Sequence, residues 1–259
     1  MYGTTHLAKN SFLKILSKTK RLISKSDHIT VSGSVIPSPD RRWCGPEFKN
    51  DEYYLKSSEN EARRLVEVLG CSENSKVLDV GCGQGRLPIG LLRIMSNLHY
   101  TGMDVNQKAI DWCNRYIAKS HPTFLFKHLD IYNERYNKQG KKTDEGYKLD
   151  TEDKSVDIVY LYSVFSHLEE NDMRAYLSNF ARVLKRDGKV FFTTFVEKDV
   201  PDITINPPDY RLKISGPLHI VRYNKDYLFS IVEEYGFSII KFDHGLETDG
   251  QSGIYLKHS

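Results

Sequence analysis

Apolar residues along the chain follow two alternating rhythms. Short apolar runs at 76–80, 100–104, 124–129, 156–161 and 189–196 have the length and composition of buried strands. Between them, apolar residues return at helical spacing: Ala62, Leu65, Val66 and Leu69; residues 86–95; Ala109, Ile110, Cys113 and Ile117; Met173, Tyr176, Leu177, Phe180 and Leu184; and Tyr227, Leu228, Ile231, Val232 and Tyr235. Boundary residues agree with this reading. Ser58-Glu59-Asn60-Glu61 reads as a capping box and Gly70 as a stop, Pro88 sits in a first turn, Asn106 and Asn224 read as N-caps, and Asp187-Gly188 and Gly236 as helix ends. Strand and helix in alternation predict an α/β fold with a parallel sheet. Two closing strands, 237–242 and 253–257, have no helix between them and must therefore be antiparallel.

Three stretches interrupt the alternation. Residues 133–152 are polar and rich in Lys and Gly, a long loop for a compact domain. Residues 197–222 hold Pro201, Pro207, Pro208 and Pro217, which excludes a regular helix and suggests a substrate-covering insert over the cleft. Near the start, Phe12, Ile15, Leu16, Thr19, Leu22 and Ile23 form one helical face with lysines opposite. Trp43, Phe48, Tyr53, Tyr54 and Lys56 then read as a lid. The chain divides into an N-terminal basic helix and lid over 1–57 and a main domain over 58–259.

Composition adds limits. A chain of 259 residues with 39% hydrophobic and 27% charged residues supports one large core and is neither disordered nor fibrous. No window reaches the ~18–20 apolar residues of a membrane span. The net charge is +3, but residues 1–30 carry six cations against Asp27 alone, so the body is weakly acidic. A nucleic-acid partner, which needs a basic face, is not expected. Cys44, Cys71, Cys82 and Cys113 show no CxxC or metal-ligand spacing, so no metal is expected and a cytoplasmic, reducing location fits.

The chemistry concentrates in Val77-Leu78-Asp79-Val80-Gly81-Cys82-Gly83-Gln84-Gly85-Arg86. A strand runs into a glycine turn and then a helix, an arrangement that lets a ligand approach the backbone closely. A dinucleotide loop would carry a third glycine where Arg86 stands. Asp79 at the strand end suits a ligand with a cationic amino group. Asp104, at the end of the second strand, is an acceptor-only group able to take both hydroxyls of a ribose. Asp130 ends the third strand, where an adenine amino group can be met.

In this order and spacing, VLDVGCGQG, YTGMDV, HLDIYN, DKSVDIVYLYSVFSHL and LSNFARVLKRDGKVFFTTF resemble the motifs of the class I S-adenosylmethionine-dependent methyltransferases over about residues 40–257. The resemblance implies a Rossmann-like seven-stranded sheet of order 3-2-1-4-5-7-6 with strand 7 antiparallel, helices on both faces and a helical lid. It implies S-adenosyl-L-methionine as cofactor, with Gly81, Cys82 and Gly83 facing the methionine part and Asp79 orienting its amino group. Asp104 would hold the ribose, Val105, Asp130 and Ile131 would meet the adenine, and Ser163 would lie near the methionine. The basic N-terminal helix would serve as a lid or homodimer element.

Methyl transfer from a sulfonium needs alignment and exclusion of water, and a general base helps when the acceptor is a hydroxyl. His167, just past the fourth strand, and His219, in the Pro-rich insert, are the candidates. Asn206-Pro207-Pro208-Asp209-Tyr210 is similar to the NPPY motif of amino-group methyltransferases, but it follows the wrong strand and carries an extra Asp, so it reads as a turn. The expected function is O-methylation of a small molecule, such as a sugar-linked or secondary metabolite. A small amine acceptor and a non-catalytic cofactor-binding subunit stand as alternatives, and a nicotinamide oxidoreductase is disfavoured.

Overall fold

The computed structural model describes residues 26–42, 45–142 and 147–258. The basic N-terminal helix, Trp43 and Cys44 lie outside these residues. The described residues open with a hairpin, β1 (His28–Val31) and β2 (Ser34–Pro37), turned by Ser32 and Gly33, both at positive φ. Sequence periodicity did not show this hairpin because its strands are four residues long.

Helix α1 (Asp51–Glu67) corrects the expected start at Ser58. Its N-cap is Asn50, whose side chain accepts from the Tyr53 amide at 2.9 Å. Ser58 lies mid-helix and its hydroxyl donates back to the Leu55 carbonyl, while Glu61 faces inward instead of capping. The remaining elements are β3 (Lys76–Val80), α2 (Arg86–Ile94), β4 (His99–Asp104), α3 (Gln107–Cys113), β5 (Phe124–His128), β6 (Val156–Leu161), α4 (Glu170–Val183), β7 (Leu184–Glu197), β8 (Ile203–Ile205), β9 (Val221–Asn224), α5 (Lys225–Glu234), β10 (Phe237–Asp243) and β11 (Ser252–His258).

The main sheet runs β10-β11-β7-β6-β3-β4-β5, with β9 also pairing with β7. The path from β5 to β10 reproduces the expected order 3-2-1-4-5-7-6. β11 is antiparallel to both neighbours, and β3, β4, β5, β6 and β7 pair in parallel. Asp187-Gly188 does not end α4, which stops at Val183. That pair instead sits in a bulge of β7, where the partner of Val156 is Leu184 and the partner of Ile158 is already Lys189. The Pro-rich insert contributes β8 and β9, which the prolines masked in the sequence. β9 lies parallel to the end of β7.

Alternate strand residues feed two cores, as the twofold period of a strand requires. Leu78, Val159, Leu161, Val190 and Phe192 pack with α4 and α5 on one face. Val77, Ile158, Tyr160 and Phe191 pack with α1, α2 and α3 on the other. The helices α1 and α2 touch backbone to backbone at Gly90, where an added Cβ would lie 1.9 Å from the Ser58 carbonyl oxygen. Among the described residues, no helix is long and apolar enough to cross a membrane.

Candidate functional site

The carboxyl ends of β3, β4 and β6 open into a cavity of about 440 Å³. This is where ligands bind in open α/β sheets. Its floor is the glycine loop. Gly81, Gly83 and Gly85 all lie at positive φ, 84°, 51° and 80° respectively. The requirement differs at each. A Cβ at Gly81 would strike Val164 at 2.3 Å and one at Gly85 would strike Ile117 at 2.7 Å, whereas one at Gly83 would meet nothing within 4 Å. Gly83 therefore presents bare backbone to open space.

Asp104 ties this loop to β4. One carboxylate oxygen accepts from the Gly83 amide and the other from the Asn106 amide, both at 2.8 Å. The side chain is buried, and burial raises its pKa against the pull of the two amides. Each oxygen keeps a further lone pair for a ligand. Asp79 is also buried and accepts from the Tyr100 hydroxyl. Burial pushes its pKa from 3.8 up to about 8, so its carboxyl is largely protonated at neutral pH until a cation arrives.

Between about pH 4 and 8 the folded chain thus holds a proton that the unfolded chain has released, and stability declines as pH rises through that window. Asp79→Asn is expected to remove this slope. It should raise the thermal midpoint near pH 8 by at least about 2–4 °C, the equivalent of about 1 kcal/mol in a chain of this size. Midpoints that stay parallel for both proteins from pH 5 to 8 would overturn the assignment.

Val105 and Ile131 line the cavity, as do Cys82 and Ser163. Asp130 does not: it is exposed, and its carbonyl accepts from the Lys141 amide. Ser163 has φ 58°, unusual for a residue with a side chain, and is held there by a closed set of bonds. Its amide donates to Thr193 Oγ1, which donates to Gln251 Oε1 at 2.7 Å, while Gln251 Nε2 returns to Ser163 Oγ at 2.8 Å.

Two further features of the cavity lining lie outside the sequence expectations, Gln251 and an ion pair. Arg86 meets Glu61 at 2.5 Å and lies between the rings of Phe48 and Tyr162, its guanidinium carbon 4.8 and 4.7 Å from their centroids. The signal was present, because a cation directly after the glycine loop must point toward the cavity mouth or the helix packing. Only the fold shows that it meets α1.

The roof consists of residues 131–142 and the insert. Arg135 joins them by donating to the carbonyls of Ser215, at 2.6 Å, and Pro217. Both candidate histidines line the cavity, His167 after β6 and His219 within the insert itself. His167 Nδ1 donates to the Leu218 carbonyl at 3.0 Å, and its ring meets Tyr136 edge-on. Burial drives its pKa from 6.5 down to about 4. His219 is half-buried, and burial lowers its pKa too.

Residues 77–188, which include β3, the glycine loop, Asp104 and His167, match the family model described as "Methyltransferase domain". The match covers less than half of the chain and makes this stretch similar to a methyltransferase domain. The curated relatives are distant. "Putative methyltransferase 235L" of Invertebrate iridescent virus 6 is 28% identical over 91 residues, which is 35% of this chain and 31% of that one. The chain thus spans less than a third of that relative. "O-methyltransferase rstn1" of Aspergillus nomiae is 23% identical over 82% of this chain and 85% of its own. Among solved structures, the PH0226 protein from Pyrococcus horikoshii superposes with a TM-score of 0.57 at 19% identity, covering 81% of this chain and 93% of that one. At that identity the likeness speaks for the fold alone.

Proposed function

We propose that the protein transfers a methyl group from S-adenosyl-L-methionine to a hydroxyl of a small molecule by in-line displacement. The observation that carries this reading is the pairing of a bare Gly83 backbone with the buried Asp104 carboxylate at the mouth of β4. Such a floor fits a ligand with a ribose and a chain lying flat on peptide groups. When bound, the cofactor supplies an activated methyl on a positively charged sulfur.

The residues of the chain do the rest. Asp104 takes the ribose hydroxyls, and Gly81, Cys82 and Gly83 line the methionine part. Asp79 gives up its proton and receives the amino group. Val105 and Ile131 flank the adenine. Ser163, fixed by Thr193 and Gln251, borders the methionine. His167 takes the acceptor proton, and His219 faces the same space. The roof, latched by Arg135, keeps water out.

An oxygen acceptor is supported by the neutral, buried His167 and by the relative named an O-methyltransferase. A sugar-linked or secondary-metabolite hydroxyl is the class we favour. A cytoplasmic setting is supported by Cys71, Cys82 and Cys113, all free and buried. The residues 1–57 would cover the cleft or mediate a homodimer.

Calorimetric titration tests the reading. S-adenosylhomocysteine should bind one per chain and NADH should not bind. Binding of NADH without S-adenosylhomocysteine would overturn it.

A further inference from the structure

Every cation in the cavity wall is already engaged. Among the described residues, the lining holds Arg42, Arg86 and Arg135 and no lysine. The side chain of Arg42 is fully buried. It donates to the carbonyls of Pro37, at 2.9 Å, and Phe48, at 2.8 Å, and to the Asp51 carboxylate at 2.7 Å. Arg86 meets the buried carboxylate of Glu61. Arg135 donates to the carbonyls of Ser215 and Pro217. The other basic groups of the wall are His167 and His219, and burial lowers the pKa of both, which keeps them largely neutral at pH 7.

Carboxyls are more numerous. Glu61, Asp79, Asp104, Asp172 and Asp249 line the same cavity. Glu61 faces Arg86, while Asp79 and Asp104 serve the proposed cofactor, whose sulfonium and amino group bring positive charge of their own. A carboxylate or phosphate on the acceptor would therefore leave water for a wall with no disengaged cation to receive it. Drawing Arg86 away would strand the buried charge of Glu61, and drawing Arg42 away would break the contacts that gather residues 37–51. The rest of the wall suits a flat apolar body: Tyr132, Tyr136, Tyr162, Phe195 and Leu212 are among its residues.

We propose that the methyl acceptor is an uncharged aromatic compound, and that acceptors carrying a carboxylate or a phosphate are rejected by the wall. This rests on the methyl-transfer reading and narrows it: a sugar-linked acceptor fits only without a phosphate. Selection here comes from the cations being engaged, so an anion is refused by the cost of its own dehydration and not by a clash.

Three probes of nearly equal shape test the proposal on protein saturated with S-adenosylhomocysteine. At pH 7, 4-hydroxybenzamide is neutral, 4-hydroxybenzoate is an anion and 4-hydroxybenzamidine is a cation. Calorimetry reads their binding, and methyl transfer reads their use once S-adenosylmethionine is supplied. The amide should bind at least about thirtyfold more tightly than the benzoate, and more tightly than the amidine. Leu212→Lys gives the wall a cation without a partner. It should raise benzoate affinity by about tenfold and leave S-adenosylhomocysteine affinity within about twofold, which also shows that the variant folds. Benzoate binding within about threefold of the amide, or no amide binding at about 10 mM, would overturn the proposal. So would a Leu212→Lys protein that holds S-adenosylhomocysteine yet gains nothing for benzoate. Tighter binding of the amidine would overturn it in favour of an amine acceptor. Each of these outcomes leaves the cofactor site standing, because S-adenosylhomocysteine is bound throughout. Failure to bind S-adenosylhomocysteine would bring down the methyl-transfer reading itself.

Discussion

Asp104→Ala should weaken S-adenosylhomocysteine binding by about 100-fold or more. The side chain does two things at once. Its carboxylate faces the ribose position of the proposed cofactor site, where each charge-assisted hydrogen bond is worth about 1.5–3 kcal/mol. It also accepts from the Gly83 and Asn106 amides, so its removal leaves two backbone donors without a partner and frees the glycine loop. Asp104→Asn separates these contributions. The amide keeps one acceptor oxygen but cannot accept on both sides, so its affinity should fall between the parent and Ala. Calorimetry gives all three values. An Ala variant that binds as tightly as the parent would remove the basis for the cofactor assignment.

Replacing His167 by Ala should lower kcat by about 100- to 10,000-fold, the usual range for loss of a positioned base. S-adenosylhomocysteine affinity should stay within about threefold of the parent. Equal losses in both would instead mark a structural part for the ring. Acid tolerance offers a second check. The folded ring has a pKa near 4, held down first by burial and then by the charges of Arg135 and His219. Turnover should therefore persist on acidification well below pH 6.5, where an ordinary imidazole becomes charged. Stability moves the other way. Between pH 6.5 and about 4 the unfolded chain binds a proton that the folded chain refuses, so acidification costs stability, and His167→Gln should flatten that part of the curve.

Much of this architecture was legible in the residue pattern for a simple reason. Buried parallel strands such as Val156–Leu161 are continuous apolar runs, and the helices that cover them repeat every three or four residues. Glycine loops are legible because a positive φ disfavours other residues and because, at Gly81 and Gly85, an added Cβ would also clash. The misreadings have local causes. Ser58 and Glu61 mimic a capping box, but Asn50 starts the helix earlier, and the mimic is the inner face of α1 meeting α2 and Arg86. Asp187-Gly188 has the chemistry of a helix stop and serves as a bulge. Asp130 follows the motif by position, yet its neighbours Leu129 and Ile131 are the ones turned into the cavity. Pairings between distant segments leave no local trace. Gln251 reaching Ser163 and Arg135 reaching Ser215 follow from topology.

The Pro-rich insert leaves β7 at Glu197 and rejoins the main chain at Asn224, and these two residues are directly paired partners. Its entry and exit are therefore side by side. Its outer loop, residues 206–217, can change in length and content, while Val221 and Tyr223 of β9 stay packed in the core. Ancestral recombination or laboratory grafting within that loop would give the same cofactor half a new appetite.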